Sequence, residues 1–130
     1  MIVLDTHTLV WWVSGQSDLS KNAKTTIEKE RTIGEVIVSS VSAWEIAMLV
    51  DRGRLVLTME VGQWLATVTK IQGLGFMPVD TDIAVNAVAL ADFHKDPADR
   101  MIAATARRLS ASLVTKDEKI RAYRQIRTIW

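Results

Sequence analysis

Short β-branched apolar runs alternate along the chain with longer stretches whose apolar positions recur at helical spacing. Ile2, Val3 and Leu4 are compact enough for a buried strand, and the run stops at Asp5 and Thr6, which suit the cap of a helix carrying Leu9, Val10, Trp11, Trp12 and Val13. Ser20 opens an amphipathic, largely polar helix through Glu30, Gly34 ends that stretch, and Val36 to Val38 form a second strand leading into Ser39 and Ser40. A helix from Val41 to Arg52 follows and stops at Gly53. Thr58 or Glu60 to Ile71 reads as a helix ended by Gly73, Phe76 to Val79 as a strand ending at Asp80, and Asp82 to Ala91 as a helix. Pro97 and Ala98 open the next helix, from about Asp99 to Leu109. Leu113 to Thr115 is then a strand, Asp117 to Tyr123 a short helix and Ile126 to Trp130 a last strand. Parallel neighbours need crossover connections, and here the crossovers are helices. The order therefore predicts an α/β fold, a central parallel sheet flanked by helices on both faces.

The length of 130 residues and an apolar share of 48% suit one domain over 1–130 with a full core. No apolar run approaches the roughly 20 residues of a membrane helix, and Met1 to Asp5 lacks the basic start and apolar stretch of a secretory signal. A soluble, cytoplasmic protein without a membrane partner is expected. The absence of Cys excludes disulfides and thiolate zinc sites, and two His, at 7 and 94, are too few for a His-rich metal site. The formal charge of +1 hides an asymmetry: Met1 to Ala106 carries nine basic and thirteen acidic residues, Arg107 to Trp130 seven basic and two acidic. That distribution suits a protein holding a polyanion near clustered carboxylates, and a solvated surface face accounts for it equally well.

Ligands of open α/β sheets sit beyond the carboxyl ends of the strands, and Asp5, Asp80 and Asp117 each fall just past a predicted strand. Glu45 is the most informative acid. Its helix is apolar nearly all the way round, which predicts burial, and its helical neighbours Val41, Ser42, Met48 and Leu49 offer no cation. Such a carboxylate is either neutral or matched by a cation from elsewhere, of which a divalent metal is one; a narrow exposed stripe is the plain alternative. Asp96 and Asp99 flank a helix start, where capping and the helix dipole explain each of them singly. Asp5, Glu45, Asp99 and Asp117 converging would repel one another without a metal. An all-oxygen pocket selects Mg²⁺ or Mn²⁺, and such ions bind phosphate oxygens too, which points to hydrolysis of a phosphodiester. Thr6 and Thr115 are placed to hold a metal-bound water or a carboxylate, or simply to cap a helix or a strand edge.

The set Asp5-Thr6, Glu45, Asp99-Arg100 and Thr115-Lys116-Asp117 resembles the PIN domain nucleases, in particular the VapC-type toxins of bacterial toxin-antitoxin pairs. Leu4 to Trp12, Val38 to Ala47 and His94 to Ala104 look like that subgroup segment by segment, across essentially the whole chain. The resemblance implies a Mg²⁺- or Mn²⁺-dependent endoribonuclease with Asp5, Glu45, Asp99 and Asp117 as catalytic, metal-holding acids. It further implies a homodimer and inhibition by a small antitoxin reaching over the site. Where relatives often carry a bulky aromatic between the Pro and the second Asp, this chain has Ala98, which widens the mouth of the site. Asp96 is explained by its cap. His7 is expected to pack at a helix start, and Arg100 to orient an acid through an ion pair, with phosphate binding second.

The Trp residues at 11, 12, 44, 64 and 130 are expected mainly in packing or a partner groove rather than base stacking. Lys116, Lys119, Arg121, Arg124 and Arg127 are placed to guide RNA phosphates or to line an exposed edge. Two rival readings remain. A phosphoacceptor signalling domain has a similar length and element order, but here Asp5 is followed by Thr6 and Glu45 goes unexplained. A nuclease-like scaffold kept only for partner binding is opposed by acids at all four positions.

Overall fold

Each of the first four strands is followed by at least one helix before the next strand begins, so all strand neighbours run parallel. The computed structural model describes residues 1–130. The strands are β1 (Ile2–Leu4), β2 (Val36–Ser39), β3 (Leu74–Met77), β4 (Ser112–Val114) and β5 (Thr128–Ile129). The helices are α1 (Thr6–Ser14), α2 (Lys21–Thr32), α3 (Ser40–Asp51), α4 (Val61–Val68), α5 (Thr81–Val88), α6 (Pro97–Arg108) and α7 (Glu118–Arg121). The sheet order is β3-β2-β1-β4-β5, with Val3 opposite Ile37 on one side and Leu113 on the other.

Alternation along the strands divides the core between the two faces. Ile2, Leu4, Val36, Val38 and Val114 pack with Leu9 and Val10 of α1, Ala23 and Ile27 of α2, Ile46 of α3, and Trp64 and Val68 of α4. Val3 and Leu113 point the other way, onto Ile102, Ala103 and Ala106 of α6 and Ile120 of α7. The α/β arrangement with helices on both faces is thus the one the residue pattern predicts.

Several boundaries differ. The third strand runs Leu74–Met77 rather than Phe76–Val79, because Pro78 has no N–H for the ladder and the pairing of Val36 with Leu74 begins directly after Gly73. Gly73 has φ +86°, and an added Cβ would lie 1.9 Å from the Arg31 carbonyl oxygen, so only Gly lets the two segments approach. Helix α5 stops at Val88 rather than Ala91, and α6 starts at Pro97, one residue past its Asp96 cap. The last strand is only Thr128–Ile129. Helix α3 is less buried than expected: only Ser42 and Ile46 are fully buried, and Trp44 is 57% exposed.

After β1 the chain moves to β2 and β3 on one side, then returns to β4 and β5 on the other. The direction of strand addition therefore reverses between β1 and β4, and the crevice beyond their carboxyl ends is where this topology places a site. No helix is long and apolar enough to cross a membrane.

Candidate active site

A cavity of about 660 Å³ opens at that crevice, and Asp5, Glu45, Asp96, Asp99 and Asp117 all line it. Four elements bring the four predicted site acids together. Asp5 follows β1 and caps α1, its Oδ1 accepting from the Thr8 N–H at 2.9 Å. Asp117 lies three residues past β4 and caps α7, accepting through Oδ1 from the N–H groups of Lys119 (2.8 Å) and Ile120 (3.1 Å). Asp96 caps α6 through Oδ1 to the Asp99 N–H at 2.9 Å, as expected from Asp-Pro at a helix start. Glu45 comes from α3 and Asp99 from the first turn of α6; both are partly buried, and neither accepts a backbone N–H.

The three capping aspartates therefore commit one oxygen each to the backbone, which fixes the carboxylate plane and leaves the second oxygen without a protein partner. Burial, then the negative charge of Asp96, Glu45, Asp5 and Asp117, push the Asp99 carboxyl up to about 8. No cation of the chain offsets this. The nearest basic group is His94, whose Nε2 lies 3.2 Å from Asp99 Oδ2. The imidazole is not aligned for a hydrogen bond, so Nε2 is a buried polar atom without a partner.

Thr6 and Thr115 act through local structure, and Arg100 differs from expectation. The Thr6 hydroxyl is buried and donates to Ser42 Oγ at 3.0 Å. It ties the start of α1 to α3 one turn before Glu45, and so sets the distance between the β1 acid and the α3 acid rather than reaching a water. Thr8 fixes the other side, donating to the Val114 carbonyl of β4 at 3.1 Å. Thr115 accepts from the Asp117 N–H at 3.1 Å and shapes the turn that presents Asp117. Arg100 makes no ion pair. Its guanidinium donates to the carbonyls of His94, Ala87, Leu90 and Phe93 at 2.7–3.2 Å, holding the end of α5 and the following loop against α6. It orients no acid directly and does not line the main cavity.

Asp80 stands outside the cavity. It caps α5 through the Ile83 N–H at 2.9 Å and contacts Arg108 at 3.4 Å, because it follows the edge strand β3, which β2 separates from β1 and the crevice. The Asp after the third strand, which a phosphoacceptor domain would phosphorylate, is thus kept apart from Asp5 and the other acids. Lys116 and Arg121 line the main cavity, Lys119 lines a recess shared with His94, Asp99 and Asp117, and Arg124 lines neither. His7 is exposed on the cavity wall rather than packed, with Trp11 and Trp130 beside it. Ser42, His94 and these two tryptophans are participants that the residue pattern did not assign. The signals were present: Ser42 stands three residues before Glu45, and His94 five before Asp99.

The donor set fits a hard divalent cation. Every carboxylate oxygen of the cavity is a hard donor, no thiolate competes, and the negative charge that adds to burial in raising Asp99 is charge a cation would offset. No three His or carboxylate groups already close into a metal cage. Mg²⁺ keeps several of its waters and needs only one or two direct carboxylates, so a loosely gathered set suffices.

Known proteins share this architecture. VapBC2 from Rickettsia felis, solved bound to a DNA fragment from their promoter, superimposes with a TM-score of 0.72 at 17% identity, over 99% of this chain and 98% of that one. A toxin-antitoxin complex from Klebsiella pneumoniae gives a TM-score of 0.69 at 19% identity, over 100% of this chain and 97% of that one. At that identity the likeness speaks for the fold. In sequence, Ribonuclease VapC22 of Mycobacterium tuberculosis is 36% identical over 133 residues, spanning 99% of this chain and 98% of that protein. The profile of the PIN domain matches residues 2–126. The chain belongs to the PIN domain family.

Proposed function

We propose that this protein is an endoribonuclease toxin that hydrolyses RNA phosphodiester bonds with Mg²⁺ or Mn²⁺ and is neutralised by a cognate antitoxin. The observation that carries the reading is the gathering of Asp5, Glu45, Asp99 and Asp117, from four separate segments, on one cavity where burial and then the surrounding acids hold Asp99 near its protonated form. The similarity to a ribonuclease along the whole chain supports the same reaction. The antitoxin is supported by the fold shared with subunits of toxin-antitoxin complexes.

These four acids are the residues that would hold the ion. When bound, it supplies positive charge to the phosphoryl oxygens and lowers the pKa of the attacking water. The chain's own part is geometric and electrostatic. The caps on Asp5 and Asp117 fix those carboxylates against the sheet, and the Thr6–Ser42 bond holds Glu45 in register with Asp5. Lys116 and Arg121, on the cavity wall, hold the RNA phosphates that the acidic floor would otherwise repel. In the same reading residues 1–130 form one domain, since the two main apolar clusters share one sheet, and the protein works in the cytoplasm as a homodimer.

Cleavage of a panel of single-stranded RNAs with Mn²⁺ or Mg²⁺, abolished by EDTA and by Asp5→Asn, is the expected result. Sedimentation checks the dimer. Intact RNA across the panel from antitoxin-free protein in Mn²⁺ would return the molecule to the class of binding scaffolds.

A further inference from the structure

The carboxylate cavity has a second wall of different chemistry. Of its lining residues only Trp11 and Trp130 are apolar, and both rings stay partly open to solvent. Other tryptophans of the chain show what structural use looks like: Trp64 is 4% exposed within the core, and Trp12 donates its indole N–H to Glu28 at 3.0 Å while packing on the same cluster. Trp11 packs on no apolar cluster. Its neighbours are His7, one helical turn earlier, with ring centroids 5.7 Å apart, and Trp130, at 6.0 Å in an edge arrangement. Lys116 Nζ lies 5.6 Å from the centre of the Trp11 ring. A half-open aromatic face with a cation on it, a few residues from Asp5 and Asp117, matches a nucleotide in both of its parts: a flat base for the ring and a phosphate for the ammonium group.

We propose that Trp11 and Trp130, with His7 at the edge, form a stacking subsite for one unpaired nucleobase of the RNA, adjoining the phosphate that lies over the carboxylates. The inference rests on the nuclease reading for what happens at that phosphate, and adds where the chain grips the base beside it. It gives Trp11 a role other than packing, and gives Trp130, which also packs on the core cluster of Leu9 and Val10, a second role beside packing. A duplex hides its base faces in its own stack, so the subsite admits single-stranded RNA and excludes paired segments. Stacking accepts any base, so this wall contributes affinity and placement and leaves sequence choice to other contacts.

The test separates binding from cleavage. A labelled single-stranded hexaribonucleotide and an abasic hexamer with the same phosphates are titrated by fluorescence anisotropy in Ca²⁺, using the full-length protein. Wild type is expected to bind the base-bearing hexamer about tenfold more tightly than the abasic one. Trp11→Leu should lose that advantage and bind the abasic hexamer as wild type does. Trp11→Phe, which keeps a π face, should retain most of the advantage, and Trp130→Leu should lose part of it, with circular dichroism melts showing each variant folded. Equal binding of both hexamers by wild type overturns the proposal and leaves the wall as a surface for a protein partner. So does a Trp11→Leu variant that weakens both hexamers by the same factor. Cleavage in Mn²⁺ is scored apart: a protein that discriminates the hexamers but cuts nothing keeps the subsite and loses the nuclease reading, and the converse result does the reverse.

Discussion

Asp99 and Arg100 are adjacent in the chain and stand in opposite electrical conditions. Arg100 is a partly buried cation whose guanidinium meets five carbonyl oxygens, those of Ala87, Val88, Leu90, Phe93 and His94, and lies 5.8 Å from the Phe93 ring centre, so its charge is distributed over dipoles without any carboxylate. Asp99 is a partly buried carboxyl with four other acids about it and an imidazole that is near but misaligned, so that ionising it is unfavourable. One side of the helix start is satisfied and the other is frustrated. The two are also linked: Arg100 Nε holds the His94 carbonyl at 2.9 Å, and His94 in turn stands against Asp99. A satisfied polar hub thus serves as the rigid backing for a site that folding by itself leaves unfavourable, the pattern expected where function rather than stability selects the charges.

The largest expected effect breaks the frustrated side. Asp99→Asn or Asp5→Asn should lower single-turnover cleavage of RNA in Mn²⁺ by about a thousandfold or more, corresponding to roughly 4 kcal/mol of transition-state stabilisation. Cleavage within tenfold of wild type would remove that residue from the set that holds the ion. Breaking the satisfied side acts on the fold instead. Arg100→Met strips the carbonyls of Ala87, Leu90, Phe93 and His94 of their donor and frees the loop between α5 and α6. Urea unfolding should show a loss of about 3 kcal/mol. A loss below about 1 kcal/mol would mean that water replaces the guanidinium at little cost, and that the hub is not the backing described.

The balance between these neighbours was only half legible in the sequence. Local rules place Asp5, Asp96 and Asp117, because a helix cap, after a strand end for Asp5 and Asp117 and before Pro97 for Asp96, is a short-range signal carried by the residues themselves. The same rules mark the flanks of β1 and β2. Arg100 was misread as an ion-pairing partner because its acceptors are backbone carbonyls six to thirteen residues upstream, and a carbonyl carries no residue identity. The Thr6–Ser42 bond spans 36 residues and depends on the packing of α1 against α3. Glu45 was singled out on the premise of a buried helix. It stands on the cavity all the same, because the half-open α3 turns that residue toward the crevice. His7 and the third strand were misjudged for tertiary and backbone reasons respectively: an open cavity wall in one case, and the missing N–H of Pro78 in the other.

Titration sharpens the comparison with a middling effect. An Asp99 carboxyl at about 8 in the folded chain, against an ordinary value of 3.8, means that the native state keeps a proton the unfolded chain has released. Stability of the metal-free protein should therefore fall as pH rises from about 4 to about 8 and then level off, since over that window the unfolded state binds fewer protons. Asp99→Asn should remove this slope. With the side chain 21% exposed, solvent screens part of the penalty, and the variant should gain about 2 kcal/mol over wild type at pH 8 without metal and little at pH 4. A variant less stable than wild type at pH 8 would show that Asp99 is held by structure rather than strained for function.

The smallest effect comes from Asp96, which belongs to both conditions. Through Oδ1 it caps α6 at the Asp99 N–H, and its charge is the largest single contribution, after burial, to the strain on Asp99. Asn caps a helix as well as Asp does, so Asp96→Asn separates the two roles. At pH 5 the variant should match wild type to about 0.5 kcal/mol in urea, since the cap survives and Asp99 is still protonated there. At pH 8 without metal it should be the more stable of the two, because Asp99 then ionises against one fewer neighbour. Cleavage in Mn²⁺ should fall by less than about tenfold, in contrast with the thousandfold expected for Asp99→Asn. Asp96→Ala, which loses the cap as well, should be about 1 kcal/mol less stable than Asp96→Asn at both pH values. If Asp96→Asn instead abolished cleavage while leaving both melts unchanged, Asp96 would have to be counted with the residues that hold the ion, and the division between capping and strained acids at this helix start would be lost.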